Sequence, residues 1–208
     1  MRSERPKPLH RLCGSPMLSY VLDSLSTCGV ERAVIVVGHK AEWVTKKMQE
    51  QFWGVPLEFV EQRVQRGTGD ATMVGLVGLP DDDDGDVLVL PGDTPLLRRE
   101  TVEALVQHHR RTGAAATVLT SVVEDPTGYG RVIRSGSGGV EAVVEERDAS
   151  PEQRSIDEVN TSIYCFRRSL RAPALRRVQP DNSQGEYYLT DVVSVLVAAG
   201  HTVEAHSA

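Results

Sequence analysis

The apolar run VLVLPGD (Val87–Asp93) ends in a glycine and an aspartate, and Asp93 is the first residue placed to do chemistry. In open α/β sheets ligands bind beyond the carboxyl ends of the strands. A carboxylate there suits Mg2+, which takes one or two protein carboxylates and completes its shell with substrate phosphate oxygens. Asp93 has a plain alternative, to cap a helix or turn opening at Thr94-Pro95. Upstream, QRVQRGTGDA (Gln62–Ala71) sets a Gly-Thr-Gly turn between an expected strand and an expected helix. Glycines let a ligand approach the backbone, and a helix N-terminus offers unpaired N–H groups to an anion or a polar edge. The amide of Gln62 can pair with a base edge, but it needs a backbone partner beside it to select uracil.

Other strings supply groups of the kind that sugars need. VEERDA (Val144–Ala149), EVNTSIY (Glu158–Tyr164) and QGEYYLTD (Gln184–Asp191) contribute Glu145, Asn160 and Glu186. Each also reads simply as a solvated strand end or a cap, and Thr190 or Asp191 could merely begin the last helix. DPTGYGR (Asp125–Arg131) is dense in turn residues and suits a tight hairpin entry. Lys7, between two prolines in RPKPLH, is expected on a stiff extended segment. The six histidines show no ligand spacing, and no Ser/His/Asp arrangement is legible. Three separated cysteines (Cys13, Cys28, Cys165) give neither zinc spacing nor an even count, which fits free thiols in a reducing, cytoplasmic setting.

The elements that must hold these groups alternate between short apolar strands and amphipathic helices. Ser15-Pro16 is expected to open a helix as cap and first residue, with Leu18, Val21, Leu22 and Leu25 as its apolar stripe and Gly29 as its stop. Strands are expected at Ala33–Val37, Leu57–Val60 and Val87–Asp93. Helices are expected over Glu42–Phe52, from Gly67–Gly69 to Leu76, and over Arg99–Arg111. The second half reads as strands near Ala115–Val123, Gly130–Ile133, Val140–Glu145 and Val159–Phe166, with helices near Ser169–Arg177 and Leu189–Ala199. This rhythm indicates an α/β domain on a mainly parallel mixed sheet, one domain over residues 1–208 with no dividing linker.

A formal charge of -6 argues against a general nucleic-acid binder. No apolar run reaches the ~18 residues that span a bilayer, which argues against a membrane partner. The acidic run Asp81–Asp84 reads as a solvated loop. Residues Met1–His10 are charged and proline-broken, where a doubly wound domain usually begins with a core strand.

Taken in order, RPKPLH, GSPML, QRGTG, LPGDTPL, DPTGYGR, VVEERDA, EVNTSIY and QGEYYLTD resemble one family along essentially the whole chain. It is the N-terminal uridylyltransferase domain of bacterial bifunctional UDP-N-acetylglucosamine pyrophosphorylase / glucosamine-1-phosphate N-acetyltransferase. The resemblance implies a Rossmann-like nucleotidyltransferase fold and a Mg2+-dependent reaction of UTP with N-acetylglucosamine-1-phosphate, serving cell-wall synthesis. It implies that Lys7 contacts phosphate, that Gln62, Gly67 and Thr68 recognise uridine, and that Asp93 is a metal ligand. It places Gly130, Glu145 and Asn160 on the aminosugar, with Glu186 and Tyr188 nearby.

The chain also departs from that family's pattern. The family opens with a strand and a loop of the type L-A-A-G-x-G-T-R-M, and Met1 falls on the last Met. The first strand, the glycine-rich loop and its arginine are therefore expected to be missing. So are a second metal ligand, an asparagine beyond Ala208, and the trimerising C-terminal β-helix domain. The resemblance implies weak or absent turnover for such a chain. The rival readings are transfer to another sugar or from another base, and a catalytically dead nucleotide-sugar-binding domain.

Overall fold

The computed structural model describes residues 4–50, 53–80, 85–136 and 138–208. Met1, the expected helix end at Phe52 and the run Asp81–Asp84 lie outside the described residues. The chain groups into two compact units whose segments interleave. The first comprises Met1–Gln65, Val74–Asp81 and Pro91–Ala104; the second comprises Arg66–Met73, Asp82–Leu90 and Leu105–Ala208.

In the first unit a 3-10 turn (Lys7–Leu9) leads into a hairpin of β1 (Arg11–Leu12) and β2 (Ser15–Pro16). Helix α1 (Met17–Leu25) then buries Leu18, Val21, Leu22 and Leu25, the stripe its spacing dictates. Strands β3 (Ala33–Val37) and β4 (Leu57–Glu61) run parallel, in register from Ala33↔Leu57 to Val37↔Glu61. A parallel pair needs a crossover, and α2 (Ala41–Met48) supplies it, with Val44 and Met48 buried. Helix α3 (Thr68–Leu76) begins in the second unit, and its last turn is counted with the first. There Gly75 allows close packing: a Cβ at this position would lie 2.9 Å from the Val36 side chain.

The second unit is built from β5 (Asp86–Val89), the greater part of α4 (Arg99–Thr112), β6 (Ala116–Val122), β7 (Arg131–Arg134) and β8 (Val140–Val144). It continues with α5 (Pro151–Arg154), β9 (Glu158–Arg167), α6 (Arg168–Leu175), α7 (Asp191–Ala198) and β10 (Val203–Ser207). Its sheet has the order β10-β6-β9-β7-β8, with β5 also along β9. The mixed sheet of the sequence reading is present, but its balance differs between the units. β3 and β4 are parallel, as are β10 and β6, whereas β5, β6 and β7 all run antiparallel to β9. Strand β9 is the axis, with Tyr164, Cys165 and Phe166 buried on it.

Strand β9 carries a bulge against β6. The pairing passes from Leu119↔Ile163 to Thr120↔Asn160, which leaves Thr161 and Ser162 as extra residues. Ser162 takes φ +63°, a left-handed conformation unusual for a side chain with a Cβ. Two bonds fix it: the Ser162 N–H donates to Asn160 Oδ1 at 2.9 Å, and the Thr161 hydroxyl donates to the Leu119 carbonyl at 2.7 Å. Bulges re-aim side chains, and this one sets the direction of Asn160.

Several expectations change at element ends. Ser15-Pro16 does not cap α1 with a side chain; both residues pair in the hairpin, and the helix starts at Met17. That helix stops at Leu25, before Gly29. Strand β5 stops at Val89 because Pro91 has no N–H to continue a ladder. The first-unit hairpin, α5 and β10 lie outside the elements that the sequence predicts. Ser150 begins α5 with a capping box, its hydroxyl accepting from the Gln153 N–H while Gln153 reaches back.

Candidate active site

In the first unit the carboxyl ends of β3 and β4 lie side by side, and the chain leaves them at Gly38 and Gln62. The Gln62 N–H donates to the Val37 carbonyl at 2.8 Å, extending the ladder by one bond. A Cβ on Gly38 would meet Gln65 Nε2 at 2.9 Å, so the segment after β4 folds across the end of β3. Gln62 therefore stands at a strand's carboxyl edge, as its sequence position suggested.

Lys7 and Asp93 meet in the same unit. The Lys7 ammonium forms an ion pair with Asp93 Oδ2. Lys7 lies in the 3-10 turn, not on an extended segment, because the Leu9 N–H reaches back to the Pro6 carbonyl at 2.9 Å. Asp93 caps no helix: α4 begins at Arg99, and Asp93 belongs to the turn after Pro91, where the Thr94 hydroxyl donates to the Pro91 carbonyl. Gly92 permits this path close to α1, since a Cβ there would lie 3.3 Å from Leu18 Cδ1. The Lys7 side chain is 66% exposed and that of Asp93 23%. With its lysine end this open to solvent, the pair adds little stability.

Among the described residues no cluster of three or more His, Cys, Asp or Glu could hold a metal unaided. A single partly exposed carboxylate still fits Mg2+, whose remaining positions go to water and phosphate oxygens. Asp93 is the residue that would hold it.

In the second unit three of the expected sugar residues come together. The Asn160 N–H donates to the Gly130 carbonyl at 2.8 Å. A Cβ on Gly130 would lie 3.3 Å from Val143 Cγ1, 3.5 Å from Glu145 Oε2 and 3.6 Å from Asn160 Cβ. Gly130 thus keeps open a small cradle flanked by a carboxylate and an amide. The Thr190 hydroxyl donates to Glu145 Oε1 at 3.3 Å.

Charge in this cradle is held under tension. Burial pushes the Glu145 carboxyl up from its ordinary value, the Thr190 hydroxyl opposes that, and Asp148 adds to it. Asp191, first in α7, is pushed up to about 6 by burial, then by Glu145 and Asp148. The Tyr164 hydroxyl is raised strongly by burial and by Glu145, with Asn160 acting the other way. The Glu145 carboxylate beside Gly130 and Asn160 can accept from ligands that bring hydrogen-bond donors, as sugar hydroxyls and amides do.

The segment Asn182–Leu189 ties this region to the Gly-Thr-Gly turn. The Tyr187 N–H donates to the Arg66 carbonyl and the Gly69 N–H to the Tyr187 carbonyl, both at 2.8 Å. The Leu189 N–H donates to Thr68 Oγ1 at 3.0 Å. Gly67 has φ +112°, and a Cβ there would lie 2.5 Å from the Tyr187 carbonyl oxygen. The glycines expected to admit a ligand thus admit the backbone of another segment of the chain. Glu186 is half-buried and held through its backbone by Asn182. Tyr188 is buried, and its hydroxyl accepts from the Gln184 side-chain amide, whose Oε1 accepts from Arg147 at 2.7 Å.

Nothing in the sequence marks Arg131 for a role, and Thr190 reads there only as a helix start. Thr190 does precede α7, but its hydroxyl faces Glu145 and makes no capping bond. Arg131 is 2% exposed. No periodicity marks an arginine for burial, so only coordinates could find it.

Residues 2–207 match the family described as Nucleotidyl transferase. The chain is 44% identical over 208 residues to the Bifunctional protein GlmU of Geobacillus thermodenitrificans, covering 100% of this chain and 44% of that protein. It is 43% identical over 207 residues to the Bifunctional protein GlmU of Heliobacterium modesticaldum, again covering 100% of this chain and 44% of the relative. The chain thus spans less than half the length of the curated relatives it matches. A crystal structure of UDP-glucose pyrophosphorylase complexed with UDP-glucose shares the fold, with a TM-score of 0.79 at 14% identity, over 96% of this chain and 82% of that one. HddC from Yersinia pseudotuberculosis shares it with a TM-score of 0.70 at 15% identity, over 100% and 83%.

Proposed function

Because the chain belongs to the nucleotidyl transferase family, we propose that it forms UDP-N-acetylglucosamine and pyrophosphate from UTP and N-acetylglucosamine-1-phosphate. The observation that supports this reading is the cradle of Gly130, Glu145 and Asn160, three residues that the family resemblance assigns to an aminosugar. A cytoplasmic setting belongs to the same reading.

The reaction needs little proton chemistry. A phosphate monoester has a second pKa of about 6, so the sugar-phosphate oxygen is already largely anionic at neutral pH. That oxygen attacks the α-phosphorus of UTP; one P–O bond forms, the α–β bridging P–O bond breaks, and pyrophosphate leaves with the electron pair. The protein's task is to align two polyanions and stabilise moving charge. Opposite unit charges ~4 Å apart attract by roughly 4 kcal/mol at an effective dielectric of 20, so single cations weigh heavily. Lys7 is assigned to phosphate oxygens. Mg2+, held by Asp93 when bound, neutralises phosphate charge. Gln62, with Gly67 and Thr68, is assigned to the uracil edge. Glu145 accepts from sugar hydroxyls, Asn160 and the Gly130 backbone flank the N-acetyl side, and Glu186 and Tyr188 frame the sugar.

Pyrophosphate release tests this over a panel of UTP, dTTP and GTP against the 1-phosphates of N-acetylglucosamine, glucose and mannose. The reading requires UTP with N-acetylglucosamine-1-phosphate to give the highest rate, with Mg2+ present. A different best pair would replace it with transfer to another sugar or from another base.

A further inference from the structure

We propose that Arg131 is a positioning residue for the aminosugar cradle, holding Gly130, Glu145 and Asn160 in place from the opposite face of the sheet. The inference rests on the assignment of that cradle to the sugar and adds to it a residue that never touches the ligand.

A buried guanidinium is costly unless paired, and each nitrogen of Arg131 has a partner, with Glu146 joined as an ion pair rather than by a hydrogen bond. Its Nη2 lies 2.6 Å from Glu146 Oε2. Its Nη1 donates to the Tyr129 carbonyl. Nε and Nη2 both point to the Arg154 carbonyl at 3.4 Å, at the end of α5. A helix's last carbonyls carry partial negative charge and favour a cation.

The partners decide what this pairing is for. Tyr129 is the residue before Gly130, and Glu146 is the residue after Glu145. Arg131 also stands opposite Val144 in β8 and Val159 in β9, the residues before Glu145 and Asn160. Successive side chains on a strand point to opposite faces. Gly130, Val143, Glu145 and Asn160 share one face, where the cradle is. Arg131 and Glu146 therefore meet on the reverse face, and each anchors the immediate neighbour of a cradle residue. One planar fork thus holds the residue before Gly130, the residue after Glu145 and the end of α5, while Arg131 itself pairs with Val159 of β9; lysine cannot copy that geometry.

The test compares wild type with Arg131→Lys and Glu146→Gln. Glu146→Gln keeps the shape of the partner and serves if the lysine variant fails to fold. Amide hydrogen exchange in the unliganded protein is read at Asn160, whose N–H bonds Gly130, and at Val118 in the sheet core. Calorimetry gives affinities for UDP and UDP-N-acetylglucosamine; their ratio isolates the sugar's share. The expected result is faster exchange at Asn160 with Val118 unchanged. The UDP-N-acetylglucosamine advantage over UDP should fall about tenfold, with UDP affinity within about twofold. Uniform acceleration of exchange, or equal weakening of both ligands, would show a purely structural arginine and overturn the proposal. If wild type itself shows no sugar advantage, the sugar assignment fails, and unchanged Asn160 exchange in the variants would separately remove the clamp.

Discussion

A side-chain carbon at Gly67 would sit 2.5 Å from the Tyr187 carbonyl oxygen, and the Gly67 backbone is already in the left-handed region at φ +112°. The turn and the Asn182–Leu189 segment therefore form one backbone-bonded piece. Gly67→Ala should strain both. Left-handed placement of a residue with a Cβ costs about 1–3 kcal/mol, and each kcal/mol lowers Tm by about 2–4 °C at this chain length. A thermal melt should show a loss of several degrees, together with weaker UDP binding. An unchanged melt would mean the segment moves away at no cost.

Asp93 and Lys7 form an open pair, so removing the carboxylate should leave the fold almost untouched. Asp93→Ala is expected to shift Tm by less than about 2 °C. Mg2+-dependent pyrophosphate release should fall about a hundredfold or more, the scale of losing a group that stabilises transition-state charge. Retained turnover excludes Asp93 as the metal ligand.

Asp191 gives a pH signature. Its carboxyl is raised to about 6 by burial and by Glu145 and Asp148, so the folded chain binds this proton more tightly than the unfolded one. Protonation thus favours folding: the contribution is greatest below the ordinary aspartate range, near ~4, and is lost as pH rises through about 6. Replacing Asp191 with Asn removes that component. Denaturant midpoints between pH 4 and 7 should fall less steeply for Asp191→Asn than for wild type. Parallel curves would show that Asp191 titrates normally.

Ser162 holds φ +63° in the β9 bulge that directs Asn160. Glycine accepts this conformation, whereas a β-branched residue strongly resists it. Ser162→Gly should keep the UDP-N-acetylglucosamine affinity within about threefold, while Ser162→Val should lose more than about tenfold of it, because Asn160 is re-aimed. Equal affinities for the two variants would show that the bulge does not control the cradle.

Much of the fold was legible where local rules act alone. The α1 stripe of Leu18, Val21, Leu22 and Leu25 and the run Ala33–Val37 fell where periodicity and apolar length put them. Element ends were less legible, because Pro16 and Pro91 answer to hairpin and turn geometry before helix or strand propensity. The antiparallel character of β9 was hidden too, since a buried strand reads alike in either direction. Asn160, Glu145 and Gly130 could be chosen by side-chain chemistry and family resemblance. Arg131 and Thr190 could not, because their importance comes from long-range partners at Glu146 and Glu145, more than a dozen residues away in sequence.

The aminosugar cradle is the claim on which the rest depends, and a crystal structure with UDP-N-acetylglucosamine bound tests it most directly. The account requires the sugar ring to lie against Gly130, with Glu145 and Asn160 within hydrogen-bond distance of its hydroxyl and acetamido groups. A sugar bound elsewhere, with Glu145 still bonded only to Thr190, would contradict it.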